Sequence, residues 1–221
     1  CVIVTGVQTC ALPISSDSGS LKVETGAAIV TGTLGKIALE AAHDLWVDGT
    51  LSATAGSIAL SLSSGAGSFQ DAADLGKRSI WLGDNARLLA TGAVKPEFST
   101  AGLRKGEVLA GGTVSLDASK LGYVVTGSGS IVDVSGTSAV FDITNQKVRS
   151  NVVNPAMTVA GNAGSITVAA RQGAFVDGTM KAASGGIGAA AGSFTMKVDG
   201  LPNESDVVNA LAGYPKVGGY E

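Results

Sequence analysis

The side chains best equipped for chemistry are few and dispersed. The single histidine, His43, stands beside Asp44, and such a pair can hold a general base for a nucleophile. That role also needs a nucleophile partner and a pocket. Where the local sequence recurs 129 residues later, the same positions hold Gln172 and Gly173, so His43 reads as an exposed corner residue. The aspartates run Asp48, Asp71, Asp74, Asp84, Asp117, Asp133, Asp142 and Asp177. A polysaccharide-cleaving site gathers two or three carboxylates in one groove, and aligned by repeat no two of these fall at corresponding positions of adjacent units. Calcium-binding repeats carry carboxylates every few residues. Here each V-D-G-T (47–50, 176–179) offers one, and G-G-I-G-A-A-A-G (185–192) offers none. Asp48 and Asp177 therefore read as corner residues bonding local backbone N–H groups, and no metal is assigned. Gly186-x-Gly188-x-x-Ala191, with Asp206 beyond it, has the letters of a dinucleotide fingerprint. That fingerprint needs a helix beginning within it, whereas G-S-F-T-M-K-V (192–198) is a strand pattern, so no cofactor is expected. Trp46, Tyr123 and Phe175 read as one slot of the repeat. If Val47 points inward, alternation turns Trp46 outward, where an aromatic face can stack on a sugar ring.

These residues are positioned by a block that the chain writes twice. Gly35 to Gly56 and Gly164 to Gly185 align without a gap, sharing Gly35/Gly164, Ile37/Ile166, Ala41/Ala170 and all of V-D-G-T. Self-similarity of this kind marks units that bury their apolar faces only against neighbours. Apolar alternation recurs at Ile37-x-Leu39, Ile58-x-Leu60, Ile80-x-Leu82, Val114-x-Leu116, Ile166-x-Val168 and Phe194-x-Met196. The first steps are 21 and 22 residues (Ile37 to Ile58 to Ile80). A second strand follows at L-W-V-D-G (45–49), L-L-A-T-G (88–92), I-V-D-V-S-G (131–136) and A-F-V-D-G (174–178). Strand, corner, strand and corner in each unit predict a β-solenoid, with about eight coils over 21–200 stacked ~4.8 Å apart. Residues 93–111 and 145–155 lack this alternation and read as protruding loops, and 185–192 as a lengthened corner. Ser205 to Gly213 carries a cap, helical spacing and a glycine stop, which predict a short C-terminal helix.

Composition agrees with an ordered, small-residue all-β chain. Glycine numbers 32, charged residues make up 15%, aromatics 5% and hydrophobic residues 45%, with a net charge of −3. Disorder goes with low hydrophobicity and high net charge, which this chain lacks. There is no Lys/Arg cluster to bind nucleic acid by counterion release. Gly49 to Gln70 is free of charge but rich in Ser, Thr, Ala and Gly, so no membrane span is read. The only cysteines are Cys1 and Cys10. V-I-V-T-G-V-Q-T-C-A-L-P-I-S (2–15) looks like translated sequencing-adapter read-through, so 1–15 is set apart as non-biological. The remainder divides into a solenoid shaft over 16–200 and a helix or loop excursion over 201–221. With no signal peptide it reads as an internal piece of a larger protein, and freedom from cysteine suits passage through an oxidising compartment.

G-E-V-L-A-G-G-T-V-S-L-D-A-S-K-L-G-Y-V-V-T-G-S-G-S-I-V-D-V-S-G-T (106–137) and A-G-S-I-T-V-A-A-R-Q-G-A-F-V-D-G-T (163–179) resemble the filamentous haemagglutinin-like exoproteins of Gram-negative bacteria. The resemblance spans about 21–200 and implies a right-handed parallel β-helix, exported by a two-partner system through an outer-membrane transporter. It implies a secreted or cell-surface adhesin whose partner is a receptor or glycan on a host or neighbouring cell. No counterpart of the family's secretion domain is seen, so the segment reads as shaft, with no catalytic role. The alternatives are a β-helix polysaccharide-cleaving enzyme and the stalk of a contact-dependent toxin.

Overall fold

A computed structural model describes residues 2–4, 7–8, 13–16, 19–63, 78–97, 99–120, 122–143, 146–148 and 151–199. Among them the chain is all-β, and it passes repeatedly through three parallel sheets, A, B and C, in that order. The first circuit is β1 (Val2–Val4), β2 (Val7–Gln8) and β3 (Pro13–Ser16); the second is β4 (Leu21–Val23), β5 (Ala28–Thr31) and β6 (Lys36–Ala41). The third is β7 (Leu45–Val47), β8 (Thr50–Ala53) and β9 (Ser57–Leu62). In the fourth, β10 (Ser79–Leu82) and β11 (Arg87–Leu89) are followed by an antiparallel hairpin, β12 (Ala93–Glu97) with β13 (Lys105–Leu109), before β14 (Thr113–Ala118). The fifth is β15 (Tyr123–Thr126) and β16 (Ile131–Asp133), then a longer excursion, then β21 (Ser165–Ala170). That excursion is β17 (Ser138–Asp142) against β20 (Ala156–Ala160), extended by β18 (Gln146–Val148) against β19 (Asn151–Val153). The sixth is β22 (Gly173–Val176), β23 (Thr179–Lys181) and β24 (Ser193–Val198). Each sheet therefore holds six strands, one per circuit.

The period-2 alternation decides which side chains meet. Ile37 pairs with Ile58, Ile58 with Val114, Val114 with Ile166 and Ile166 with Phe194 in sheet C. Leu39, Leu60, Leu116, Val168 and Met196 make the next ladder in the same way. Apart from the exposed Phe194 and Met196, both ladders join Leu45, Ile80 and Val124 of sheet A and Leu51, Leu88 and Val132 of sheet B in a single core. The outward positions of sheet C are small or charged: Ala38, Ala59, Ser115, Thr167 and Thr195 between the ladders, and Lys36, Ser57, Thr113, Ser165 and Ser193 or Glu40, Ser61, Asp117, Ala169 and Lys197 to either side.

The predicted ladder of Ile37, Leu39, Ile58, Leu60, Val114, Leu116, Ile166 and Val168 is thus present, but the unit differs from the expected one. A circuit has three strands rather than two. Ile80 belongs to sheet A, pairing with Leu45 and Val124, not to the Ile37 ladder. The "second strands" likewise separate: residues 45–47 and 173–176 lie in sheet A, 87–89 and 131–133 in sheet B. Short apolar triplets of sheets A and B look alike as letters, so merging them raised the expected number of coils. Residues 93–111 form a paired hairpin rather than a loose loop, and the second excursion begins by Ser138, before Asn145. The segment set apart on the sequence supplies β1, β2 and β3, one strand to each sheet. The helix expected over 205–213 lies outside the described residues.

Candidate functional site

Three places collect the side chains that could act on another molecule: the outer face of sheet A, the corner between sheets A and B, and the two excursions. On sheet A, core-facing Leu45, Val47, Ile80 and Leu82 force their neighbours Trp46 and Trp81 to the outside. Register then stacks Trp46, Trp81, Val125 and Phe175 as one ladder across four circuits. The indole rings of Trp46 and Trp81 lie parallel, 5.1 Å apart and 7° from coplanar, the offset stacking that favours aromatic pairs. Trp81 and Tyr123 are buried, and with Val125 they form a second apolar cluster against which Trp46 and Phe175 pack.

Of the three aromatic residues singled out on the sequence, Trp46 and Phe175 do share a slot. Tyr123 does not. It shares the face but pairs with Ser79 and Gly173, and Val125 holds the Trp46 slot in its circuit. Gly173 leaves room for the Tyr123 ring to approach Phe175, with centroids 6.4 Å apart. Trp81 belongs to the Trp46 slot as well, and I-W-L (80–82) repeats the pattern of L-W-V (45–47) that could have marked it.

The corner from A to B is built on polar side chains that reach one circuit onward. The Asp48 carboxylate accepts the Asn85 N–H at 3.0 Å and the Asn85 side-chain amide at 3.2 Å, and it also accepts the Thr25 hydroxyl from the preceding circuit. One circuit later Asp84 accepts the Gly129 N–H at 3.1 Å. One further, Thr126 Oγ1 accepts the N–H groups of Asp177 and Gly178 at 3.1 and 3.0 Å. A side chain at Gly83 would run into the Asp48 carboxylate, and one at Gly127 into that of Asp84. Glycine there leaves space for the acid of the preceding circuit, through close approach rather than φ. Asp48 and Asp84 thus share a corner in adjacent circuits but are offset by one residue, so among the described residues they do not fall at corresponding positions, as expected. The Asp48 oxygens bond the neighbouring circuits rather than local backbone as expected. Asp44 is engaged similarly, accepting the Ser20 hydroxyl and the Ser79 N–H, both at 3.3 Å. His43 donates its N–H to the Gly19 carbonyl at 3.2 Å. Among the described residues no group of three or more His, Cys, Asp or Glu side chains could hold a metal ion. Gly186 and Gly188 precede a strand, β24, not a helix.

The excursions of the fourth and fifth circuits meet side by side. Arg104 donates to both Asp142 oxygens, at 2.7 Å from Nη2 to Oδ1 and 2.8 Å from its backbone N–H to Oδ2. The Asp142 N–H returns a bond to the Arg104 carbonyl at 2.8 Å. The guanidinium hydrogen bond holds Asp142 below the usual carboxylate range, and the same bond raises Arg104. Beside this latch opens a groove of about 550 Å³ lined by Glu97, Lys105, Glu107, Val108, Phe141 and Ile143. Its charges are balanced across the hairpin, since Glu97 faces Lys105 and Lys95 faces Glu107. No sequence signal joins Arg104 to Asp142, because the two lie in different excursions whose lengths are unrelated to the repeat.

Compared with family models, curated proteins and solved structures, the chain matches none. Among the described residues no helix is long and apolar enough to cross a membrane.

Proposed function

We propose that the chain is a section of right-handed parallel β-helix serving as a non-enzymatic shaft. The protein it belongs to is a secreted or cell-surface adhesive exoprotein of the filamentous haemagglutinin-like kind. The excursions of the fourth and fifth circuits are its contact elements, directed at a glycan or receptor on a host or neighbouring cell. The observation that carries this reading is the pairing of a regular interior with one-sided decoration. The Ile37 and Leu39 ladders keep register from circuit to circuit, while residues 90–112 and 134–164 both leave between sheets B and C. Stiffness along one axis and display on one side are what a shaft requires. The carboxylates at the A–B corner support the non-enzymatic part, since Asp48 and Asp84 are taken up by backbone N–H groups of neighbouring circuits.

The test compares the parent chain with one in which 93–109 and 138–160 are replaced by short Gly-Ser links, on a glycan array and on intact cells. The reading expects binding by the parent, loss in the variant and an unchanged strand signal in circular dichroism. Equal binding by both would contradict the role given to the excursions. Turnover of a polysaccharide, abolished by Asp48→Asn, would contradict the non-enzymatic shaft. A Trp46→Ala arm separates any contribution of the sheet A rings from that of the excursions.

A further inference from the structure

The groove beside the Arg104–Asp142 latch combines features that single out one kind of ligand. Gly106 of β13 lets the two excursions close on each other, since a Cβ there would come within 2.9 Å of the Phe141 ring. Phe141 is half-buried, and its ring forms part of the groove wall together with Val108 and Ile143. Lys105 and Glu107 are two apart on one strand and so share a side, and register sets Glu97 opposite Lys105. These three side chains are exposed at the rim. An apolar wall with an aromatic ring and a few polar groups is the usual make-up of a small-ligand site, and about 550 Å³ falls within the range such sites span.

From this we infer that the groove is a binding subsite for uncharged sugar units of a glycan. This rests on the excursions being contact elements, and it names the ligand they take. A pyranose has a C–H face, which the negative face of an aromatic ring attracts, and hydroxyls that both donate and accept. Phe141 suits the first. The Glu97 and Glu107 carboxylates, which only accept, and the Lys105 ammonium, which only donates, suit the second. Charge decides between sugars. Glu97 faces Lys105 and Glu107 faces Lys95, while Arg104 takes up both oxygens of Asp142. Each charge at the rim thus has an opposite charge across from it. A sulfated or carboxylated sugar would meet two carboxylates, and a cationic one would meet the lysines, so an uncharged sugar fits best.

Calorimetric titration of the full chain tests this. The probes are neutral tetrasaccharides of glucose, galactose, mannose and N-acetylglucosamine, an acidic heparin tetrasaccharide and a basic glucosamine tetramer. The expected result is binding of at least one neutral probe, with the acidic and basic probes about tenfold weaker or more. Glu107→Ala, at an exposed position, removes one acceptor and should weaken that binding about tenfold, the loss of a hydrogen bond to a charged group. Phe141→Leu keeps an apolar wall without the ring and should weaken it as well. Trp46→Ala, on sheet A, should bind as the parent does. Hydrogen exchange at 138–142 checks that the variants keep the excursions, and should Phe141→Leu disturb them, Glu107→Ala carries the test. No neutral probe bound, an acidic or basic probe bound as tightly, or a folded groove variant that binds as the parent does would overturn the proposal. Cell binding separates this failure from that of the contact reading. Cells that release the excursion-deleted chain but hold Glu107→Ala and Phe141→Leu like the parent reject the sugar groove alone, whereas cells that still hold the excursion-deleted chain reject both.

Discussion

The two corners flanking sheet B obey different rules, though both are crossed in every circuit. The corner from A to B stays short throughout, at 24–27, 48–49, 83–86, 127–130 and 177–178. Side chains reach from one circuit to the next there, so its length is set by the bonds of Asp48, Asp84 and Thr126. The corner from B to C is short at 32–35 and 54–56 and then opens to 90–112, 134–164 and 182–192. Its ends are held between circuits: on leaving sheet B, Gly92 donates its N–H to the Ser135 carbonyl at 2.7 Å and Gly136 to the Ala183 carbonyl at 2.9 Å, and a glycine closes it at sheet C. Gly35, Gly56, Gly112, Gly164 and Gly192 stack so closely that a side chain on any of the last four would strike the carbonyl oxygen of the glycine before it. Their carbonyls also accept the first N–H of the next strand in sheet C, as Gly56 does from Thr113 at 2.9 Å. A corner whose middle is tied by side chains to the next circuit has little room for an insertion, whereas one held by backbone bonds at its two ends accepts a range of lengths between them. Loop closure costs little more as a loop grows, so excursions accumulate where only the ends of the corner are fixed.

The largest expected effect comes from blocking re-entry. In Gly112→Val the new side chain meets Gly56 backbone that cannot move aside, so β14 must leave sheet C, and the loss should be several kcal/mol in urea unfolding. A smaller loss is expected at the other corner. Asp48→Ala leaves the Asn85 N–H and side-chain amide without their acceptor and should cost about 1–2 kcal/mol, measured in the same way. Replacing the 93–109 hairpin with a short link should shift the melting temperature by no more than a few degrees, since β11 and β14 keep their partners. A shift as large as that of Gly112→Val would erase the distinction between the corners.

The smallest effect concerns the latch. Asp142 is held below the ordinary carboxylate value, about 3.9, by Arg104. Whatever the pair contributes is complete above that value and is lost as pH falls through the lower folded one. Because the pair is solvent-screened, hydrogen exchange at 138–142 should rise in Arg104→Met at neutral pH, and the difference from the parent should vanish in strong acid or high salt.

How much was legible in the sequence follows the same division. Alternation found the sheet C strands from β6 onward and their inward residues, because each of these is six residues long with three apolar positions on one side, as at Lys36–Ala41 and Ser57–Leu62. The identity of Gly35 and Gly164 marked the re-entry point. Sheets A and B were harder, because three- or four-residue strands such as Leu45–Val47 and Arg87–Leu89 carry too few positions to show which sheet they belong to. The offset of 129 residues joins the third circuit to the sixth, with two excursions in between, so it gave no direct measure of one circuit. At the candidate site, outward placement of Trp46 followed from Val47. Its stacking on Trp81 and the misassignment of Tyr123 depend on register between circuits, which spacing interrupted by excursions does not fix. The Asp48 bond to Asn85 was hidden for the same reason.

The central claim is that the ladders of sheet C face one apolar interior and that its alternate residues face out. Ile58 and Ser57 are adjacent in β9, the first 1% exposed and the second on the outer face. Urea unfolding of Ile58→Asp beside Ser57→Asp tests the claim most directly. A carboxylate at 58 would lie among Ile37, Leu60 and Val114 with no partner, and should cost several kcal/mol. The same change at 57 should stay within about 0.5 kcal/mol of the parent. Equal losses at the two positions would contradict the strand phase and, with it, the stacked circuits.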